Sequence, residues 1–319
     1  MTVSLKRGFR ALAACTALTV APMAAQAEQF INILTGGTSG VYYPLGVALS
    51  KVYGEGIDGA RTQVQATKAS VENLNLLQQG KGEVALALGD SVKLAWEGDA
   101  EAGFNAPLDK LRGIAAAYPN YIQIAASVQS GIVTVADFRG KSVSVGAAKS
   151  GTELNARAIL DAMGMTYADL GKTEYLPFAE SVELMKNRQL DATLQSAGLG
   201  VASLKDLATS VPTTIVSIPP EVAETLGPPY VAATIPAGTY EGQTADIQTL
   251  AVSNFFVTHA DLDEETVYQM TKLLFENLPE LVAAHQAASA ISLDGALAGM
   301  PVPLHPGAER FYREAGLTQ

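Results

Sequence analysis

Short apolar runs alternate along the chain with segments whose apolar residues recur every three or four positions, a pattern that predicts an α/β fold with parallel strands. Residues 30–34 read as a first strand, which runs through Thr35-Gly36-Gly37-Thr38-Ser39-Gly40 into a helix over 44–52. Residues 62–66 predict a second strand. Ser70 then stands as an N-cap before Val71, Leu74 and Leu77 on one helical face, with Gly80 as the stop. Residues 84–88 are apolar at every position, as expected of a parallel strand covered on both faces.

The same order then restarts. Residues 142–145 predict a strand, Gly146 to Thr152 a loop, and 153–163 a helix; Ser181 is placed to cap the next helix, before a strand at 192–195. Ser39-Gly40 and Ser150-Gly151 are offset by 111 residues, and so are Ser70-Val71-Glu72 and Ser181-Val182-Glu183. One plan used twice predicts two similar Rossmann-like lobes. Residues 121–128 and 249–259 are strand-like and flank the second half, so they are expected to join the lobes as hinge strands. Residues after about 260, including 263–278, read as helices packed back on the first lobe. The expectation is a two-lobed α/β chain. Lobe I would comprise 28–124 and 254–319, with lobe II inserted at 125–253.

The N-terminus changes the compartment. Lys6, Arg7 and Arg10 precede an apolar stretch over 11–21, and Pro22 breaks it before Ala25-Gln26-Ala27. This is the layout of a signal peptide over 1–27, cleaved after Ala27, with an apolar part too short to span a bilayer. A lipoprotein cut at Leu12-Ala13-Ala14-Cys15 would leave only a very short hydrophobic stretch ahead of it. Cleavage after Ala27 removes the single cysteine and three basic residues, taking the net charge from −11 to −14 (18 basic against 32 acidic). The exported, cysteine-free chain is expected to be a soluble periplasmic monomer held by ordinary cores. Its acidity argues against nucleic acid or anionic lipid as partners.

Catalytic chemistry is not legible. The three histidines, His259, His285 and His305, lack metal-ligand spacing, and there is no G-x-S-x-G elbow. Gly140-Lys141-Ser142 has Val135 where a phosphate loop needs glycine, and fits a turn into a strand. The expectation is therefore a non-enzyme without cofactor or metal. What the sequence does offer is hydrogen-bond donors at helix starts. The loops carrying Gly37, Thr38, Ser39 and Gly40, and Lys149, Ser150, Gly151 and Thr152, present N–H groups and the positive helix end to an anion. In α/β sheets such loops gather at the carboxyl ends of the strands, so two facing lobes would share one cleft. Tyr42 and Tyr43 could wall it, and Thr67, Ser70 and Gly198 lie at neighbouring strand ends. Asp90 could receive an ammonium group or cap its helix, and Asn155 and Gln195 could orient a carboxylate or amide.

Thr35-Gly36-Gly37-Thr38-Ser39-Gly40-Val41-Tyr42-Tyr43-Pro44-Leu45-Gly46 resembles the opening motif of the TAXI family, binding proteins of tripartite ATP-independent periplasmic (TRAP) transporters. Ser70-Val71-Glu72-Asn73-Leu74, Ser150-Gly151-Thr152-Glu153-Leu154-Asn155-Ala156, Ile235-Pro236-Ala237-Gly238-Thr239-Tyr240 and His305-Pro306-Gly307-Ala308 are similar to its later motifs. The resemblance implies a two-lobed, hinged, type II-like periplasmic binding protein for a small carboxylate such as glutamate, a related amino acid or 2-oxoglutarate, delivering to TRAP membrane subunits that are driven by an ion gradient. The family's Gln-x-Asp is Leu88-Gly89-Asp90 here, one amide fewer. A sensor role, or an enzyme on the same fold, are the alternatives.

Overall fold

Two long strands organise the molecule. In the computed structural model, which describes residues 1–2 and 28–318, they run antiparallel at the centre of one continuous sheet. The signal peptide expected over 1–27 lies, apart from its first two residues, outside the described residues. The strands are β1 Gln29–Leu34, β2 Ala60–Gln65, β3 Val84–Leu88, β4 Leu111–Ser127, β5 Ser142–Ser144, β6 Lys172–Glu174, β7 Ala192–Ala197, β8 Thr213–Val216, β9 Val231–Ile235 and β10 Ile247–His259. The helices are α1 Tyr42–Gly56, α2 Ser70–Gln78, α3 Gly89–Glu97, α4 Gly151–Ala162, α5 Phe178–Lys186, α6 Ala202–Ser210, α7 Glu221–Leu226, α8 Glu264–Glu276, α9 Leu278–Ala284 and α10 Pro306–Glu314.

Strand order is β2-β1-β3-β10-β4-β7-β5-β6, with β8 also on β4 and β9 on β10. The first half contains the parallel set β2-β1-β3, and the second half repeats it as β6-β5-β7. Each set ends on an antiparallel long strand, β10 beside β3 and β4 beside β7. The doubled plan anticipated from the 111-residue offset is thus present as topology. All five residues of β3 are buried, which accounts for its unbroken apolar run.

β4 and β10 pair with each other from Ala251 opposite Tyr121 to His259 opposite Leu111, and register shifts interrupt the ladder between Ser253 and Phe255 and between Phe256 and Val257. Pro119 sits opposite Ser253 beside the first shift. Proline has no N–H to give a ladder, so a bulge is where a central strand can hold one. The hinge strands expected over 121–128 and 249–259 are therefore longer than predicted, 17 and 13 residues.

Burial explains the remaining assembly. One core collects Val71, Leu74, Phe104 and Phe255 on one side of the first half, and a second collects Ile124, Val143, Ile159 and Leu194 in the second half. A third, larger core joins α1 and the C-terminal helices to Val182, Met185 and Leu204 of α5 and α6. The closing motif earns its place here. His305 accepts from Gly307 N (3.2 Å) at the start of α10, and a Cβ on Gly307 would stand 2.2 Å from the Glu264 carbonyl oxygen. Only glycine lets α10 approach α8 that closely.

Several local expectations are corrected. The first helix starts at Tyr42 rather than Pro44, because proline is tolerated anywhere in the first turn, where N–H groups have no intrahelical acceptor. Ser70 is the first residue of α2 and not its cap: Ala69 precedes it at φ 72, and the Ser70 hydroxyl instead accepts from Leu88 N at 3.1 Å. Glu72 supplies the local closure by accepting from Lys68 N at 2.6 Å. Ser181 lies inside α5, and its hydroxyl is shared with Ser144 at 2.7 Å.

Candidate functional site

Between the two halves lies a cavity of about 120 Å³. A single water needs only about 10–15 Å³ measured the same way, so the space suits a small organic molecule. The first half contributes Gly36, Gly37, Gly40, Val41 and Tyr42 at the start of α1, and Thr67, Lys68, Ala69 and Ser70 before α2. The second half contributes Ala147, Ser150, Gly151 and Thr152 at the start of α4, with Pro177, Phe178, Ser196 and Ala197. Tyr118 and Asn120 of β4 form the floor.

Two helix N-termini thus share one cavity. α1 has no side-chain cap, and the N–H groups of Tyr42 and Tyr43 find no acceptor among the described residues. At α4 the Ser150 hydroxyl accepts from Glu153 N (3.1 Å), leaving the N–H groups of Gly151 and Thr152 without an acceptor among the described residues. Both helix dipoles place partial positive charge there. Among the described residues no Asp or Glu lines the cavity, and Lys68 does. In a chain with an excess of acidic residues, this is a local patch of favourable potential for an anion.

Tyr118 and Asn120 are each 2% exposed, and the Tyr118 hydroxyl and Asn120 Oδ1 have no hydrogen-bond partner among the described residues. Asn120 Nδ2 donates to the Ser196 carbonyl at 3.0 Å, which leaves Oδ1 as the end of the amide without a partner. Burial holds the Tyr118 phenol well above its ordinary pKa, so it stays protonated and able to donate. Tyr42 is tied down differently: its hydroxyl donates to Asn254, whose Nδ2 donates to the Tyr118 carbonyl at 2.7 Å.

Of the residues expected at the site, Gly37, Gly40, Tyr42, Thr67, Ser70, Ser150, Gly151 and Thr152 line the cavity. Thr67 does so with a committed hydroxyl, close to Asn73 Oδ1 (2.6 Å) and the Thr35 carbonyl (2.9 Å). Thr38, Ser39, Tyr43 and Lys149 are outside the lining, and Thr38 and Lys149 are exposed. Lys149, at φ 65, contributes its carbonyl oxygen, which accepts from Glu72 N across the seam at 3.2 Å. Gly198 packs elsewhere, where a Cβ would stand 2.7 Å from that of Ala287. Gln195 accepts from the Ser203 hydroxyl at 2.6 Å, behind the cavity wall.

Asp90 is the main departure. It is 4% exposed and faces away from the cavity, accepting from Asn155 Nδ2 (2.5 Å), the Tyr230 hydroxyl (2.7 Å) and Ser91 N (2.6 Å). Burial raises its carboxyl pKa, and the donated hydrogen bonds oppose that rise. Asn155, also expected in the cleft, is the other half of this contact, and its Oδ1 accepts from the Ser196 hydroxyl at 2.6 Å. Lys68, Tyr118, Asn120 and Phe178 were not anticipated. A lysine in a Thr-Lys-Ala loop carries no local signal, and Tyr118 and Asn120 read as ordinary strand residues. The Ile235–Tyr240 motif also proves architectural: the Tyr240 hydroxyl donates to Gln123 and accepts from Gly200 N (3.2 Å).

The fold is that of periplasmic solute-binding proteins. It matches PhnD1 from Prochlorococcus marinus in complex with methylphosphonate at a TM-score of 0.58, with 11% identity over 91% of this chain and 99% of that one. A putative L-cystine ABC transporter protein from Listeria monocytogenes gives 0.53 and 13%, over 83% and 98% of the two chains. The alkanesulfonate-binding protein SsuA from Xanthomonas axonopodis pv. citri, bound to MOPS, gives 0.51 and 14%, over 91% and 94%. At such identities the likeness concerns the fold. Residues 33–316 match the NMT1-like family, and the chain belongs to it. No helix among the described residues is long and apolar enough to cross a membrane.

Proposed function

We propose that the protein captures a small organic anion between its lobes in the periplasm and delivers it to a membrane transporter. The observation that supports this best is the meeting of two open helix N-termini, α1 and α4, in one cavity with no acidic side chain among the described residues. Lobe I would comprise 28–124 and 254–319, and lobe II 125–253, with β4 and β10 as the hinge. The resemblance to TAXI proteins favours a small carboxylate of the glutamate or 2-oxoglutarate type and a TRAP membrane component driven by an ion gradient. Closure would be selected by the ligand, because only the closed form brings both helix ends onto it.

Native mass spectrometry of the protein as purified, followed by calorimetry with the mass-matched anion, tests this. Saturating ligand at a hundredfold excess over Kd is expected to stabilise the fold by about 2.7 kcal/mol. Unchanged melting with every small carboxylate, sulfonate and phosphonate would overturn the reading. Transport in vesicles containing candidate TRAP subunits, dependent on an ion gradient, tests the partner separately.

A further inference from the structure

The floor of the cavity carries more chemical information than its two positive ends. Tyr118 and Asn120 are two positions apart on β4, and both line the cavity. One offers a hydroxyl proton and the other an amide oxygen, and neither has a partner among the described residues. Buried polar groups left in this state are costly; Asn120 Oδ1 needs a donor, and the Tyr118 hydroxyl, which can also accept, has a proton to give. An alcohol serves both with one atom.

An ammonium fits poorly. It can donate to both groups but leaves the Tyr118 proton without an acceptor, and it brings a full positive charge into a space already bordered by Lys68 and two positive helix ends. The carboxylate that could have balanced it, Asp90, is directed to Asn155 and Tyr230 instead. A keto oxygen satisfies Tyr118 but leaves Asn120 Oδ1 without a donor.

We infer that the ligand is a hydroxy acid: an anion whose carboxylate meets the α1 and α4 N-termini and whose uncharged hydroxyl bridges Tyr118 and Asn120. The inference rests on the reading of the cavity as an anion site. It names Asn120 and Tyr118 as the residues that set specificity among anions of equal length.

The test is calorimetry on the whole mature protein, after unfolding and refolding to strip carried-over ligand. Two length-matched series serve as probes: 2-hydroxyglutarate, 2-oxoglutarate, glutamate and glutarate, and then malate, oxaloacetate, aspartate and succinate, with both enantiomers where they exist. In at least one series the hydroxy acid is expected to bind about tenfold or more tighter than its amino and unsubstituted counterparts. Tyr118→Phe, which removes only a hydroxyl without a described partner and so leaves folding intact, is expected to abolish that margin. Asn120→Asp is expected to shift preference toward the amino acid. If anions bind but the amino acid equals or exceeds the hydroxy acid, or Tyr118→Phe leaves the order unchanged, the inference falls while anion capture stands. If no member of either series binds, both the inference and the capture of small carboxylates fail together.

Discussion

Asn155 Nδ2 donates to Asp90 Oδ2 at 2.5 Å, and this contact joins α3 of the first half to α4 of the second half. Tyr230 donates to the same oxygen at 2.7 Å, and Asn155 continues through the Ser196 hydroxyl (2.6 Å) to a residue whose carbonyl holds Asn120. The seam contact and the cavity floor are thus one hydrogen-bonded chain. Asp90→Ala would leave the Asn155 amide and Tyr230 hydroxyl buried without their acceptor, at about 1–3 kcal/mol for each such group. Since the contact needs the lobes together, the loss should appear as weakened ligand affinity of roughly tenfold or more. Calorimetry on Asp90→Ala and Tyr230→Phe checks this, with the smaller loss expected for Tyr230→Phe.

Asp90 also gives the closed form a pH dependence. Its carboxyl is raised above the ordinary value of 3.8, chiefly by burial. A raised carboxyl favours the folded state fully below its unfolded pKa, and the benefit is lost as pH climbs through the raised value. The groove on its outer side holds Lys93, Arg157, Asp99, Glu101 and Asp161, which mix both signs. Melting curves from about pH 4 upward should show Asp90→Asn gaining on the wild type as pH rises and then levelling off. A parallel pair of curves would remove Asp90 from that role.

Gly151 is a steric test of closure. A Cβ there would lie 2.6 Å from Leu88 Cδ1, 2.7 Å from Ser70 Oγ and 2.9 Å from Ser91 Oγ, all in lobe I. Gly151→Val should therefore hold the lobes apart. The expected outcome is a larger solution radius in small-angle scattering, unresponsive to ligand. Melting of the ligand-free protein should change little.

Lys68 and Lys149 separate cavity charge from rim charge. Lys68→Met is expected to weaken anion binding several-fold, a modest effect because the side chain is largely exposed and screened. Lys149→Met should leave affinity nearly unchanged, as only its backbone takes part at the seam. Salt titration of affinity should lose slope only in the Lys68 variant.

Gly307→Ala probes the fold alone. The added methyl would meet the Glu264 carbonyl oxygen at 2.2 Å and Tyr268 N at 2.6 Å, backbone that cannot step aside cheaply. Overpacking of this kind costs about 1–3 kcal/mol. A lower melting temperature with unchanged ligand affinity is the expected pair of results.

The doubled topology was legible because buried parallel strands must be apolar throughout and their loops must end in glycine or small polar residues. Ser150 caps α4 through Glu153 N, three residues away, so the helix starts at Gly151 and not at 153 as the sequence suggested. Ser70 obeyed the same local rule and still failed as a cap, because Leu88 N across the strand takes its hydroxyl. Asp90 was correctly placed at the end of β3, but α3 begins at Gly89 with no intervening loop, which carries the carboxylate toward α4. Lys68, Tyr118 and Asn120 acquire meaning only when residues far apart in sequence converge. No spacing rule announces them.

The bulge at Pro119 assigns these residues different moments in a binding event. Tyr118 lies within the stretch where the two-stranded ribbon loses its register and Asn120 stands two residues beyond it, so with β4 and β10 as the proposed hinge both would sit near the fulcrum of lobe rotation. Groups at a fulcrum travel little, whereas the α1 and α4 ends swing on longer arms. An arriving molecule is inspected first at the fulcrum, and the arms grip it afterwards. Changes at Tyr118 or Asn120 should then alter how fast the ligand is accepted, and changes at Thr152 how long it stays.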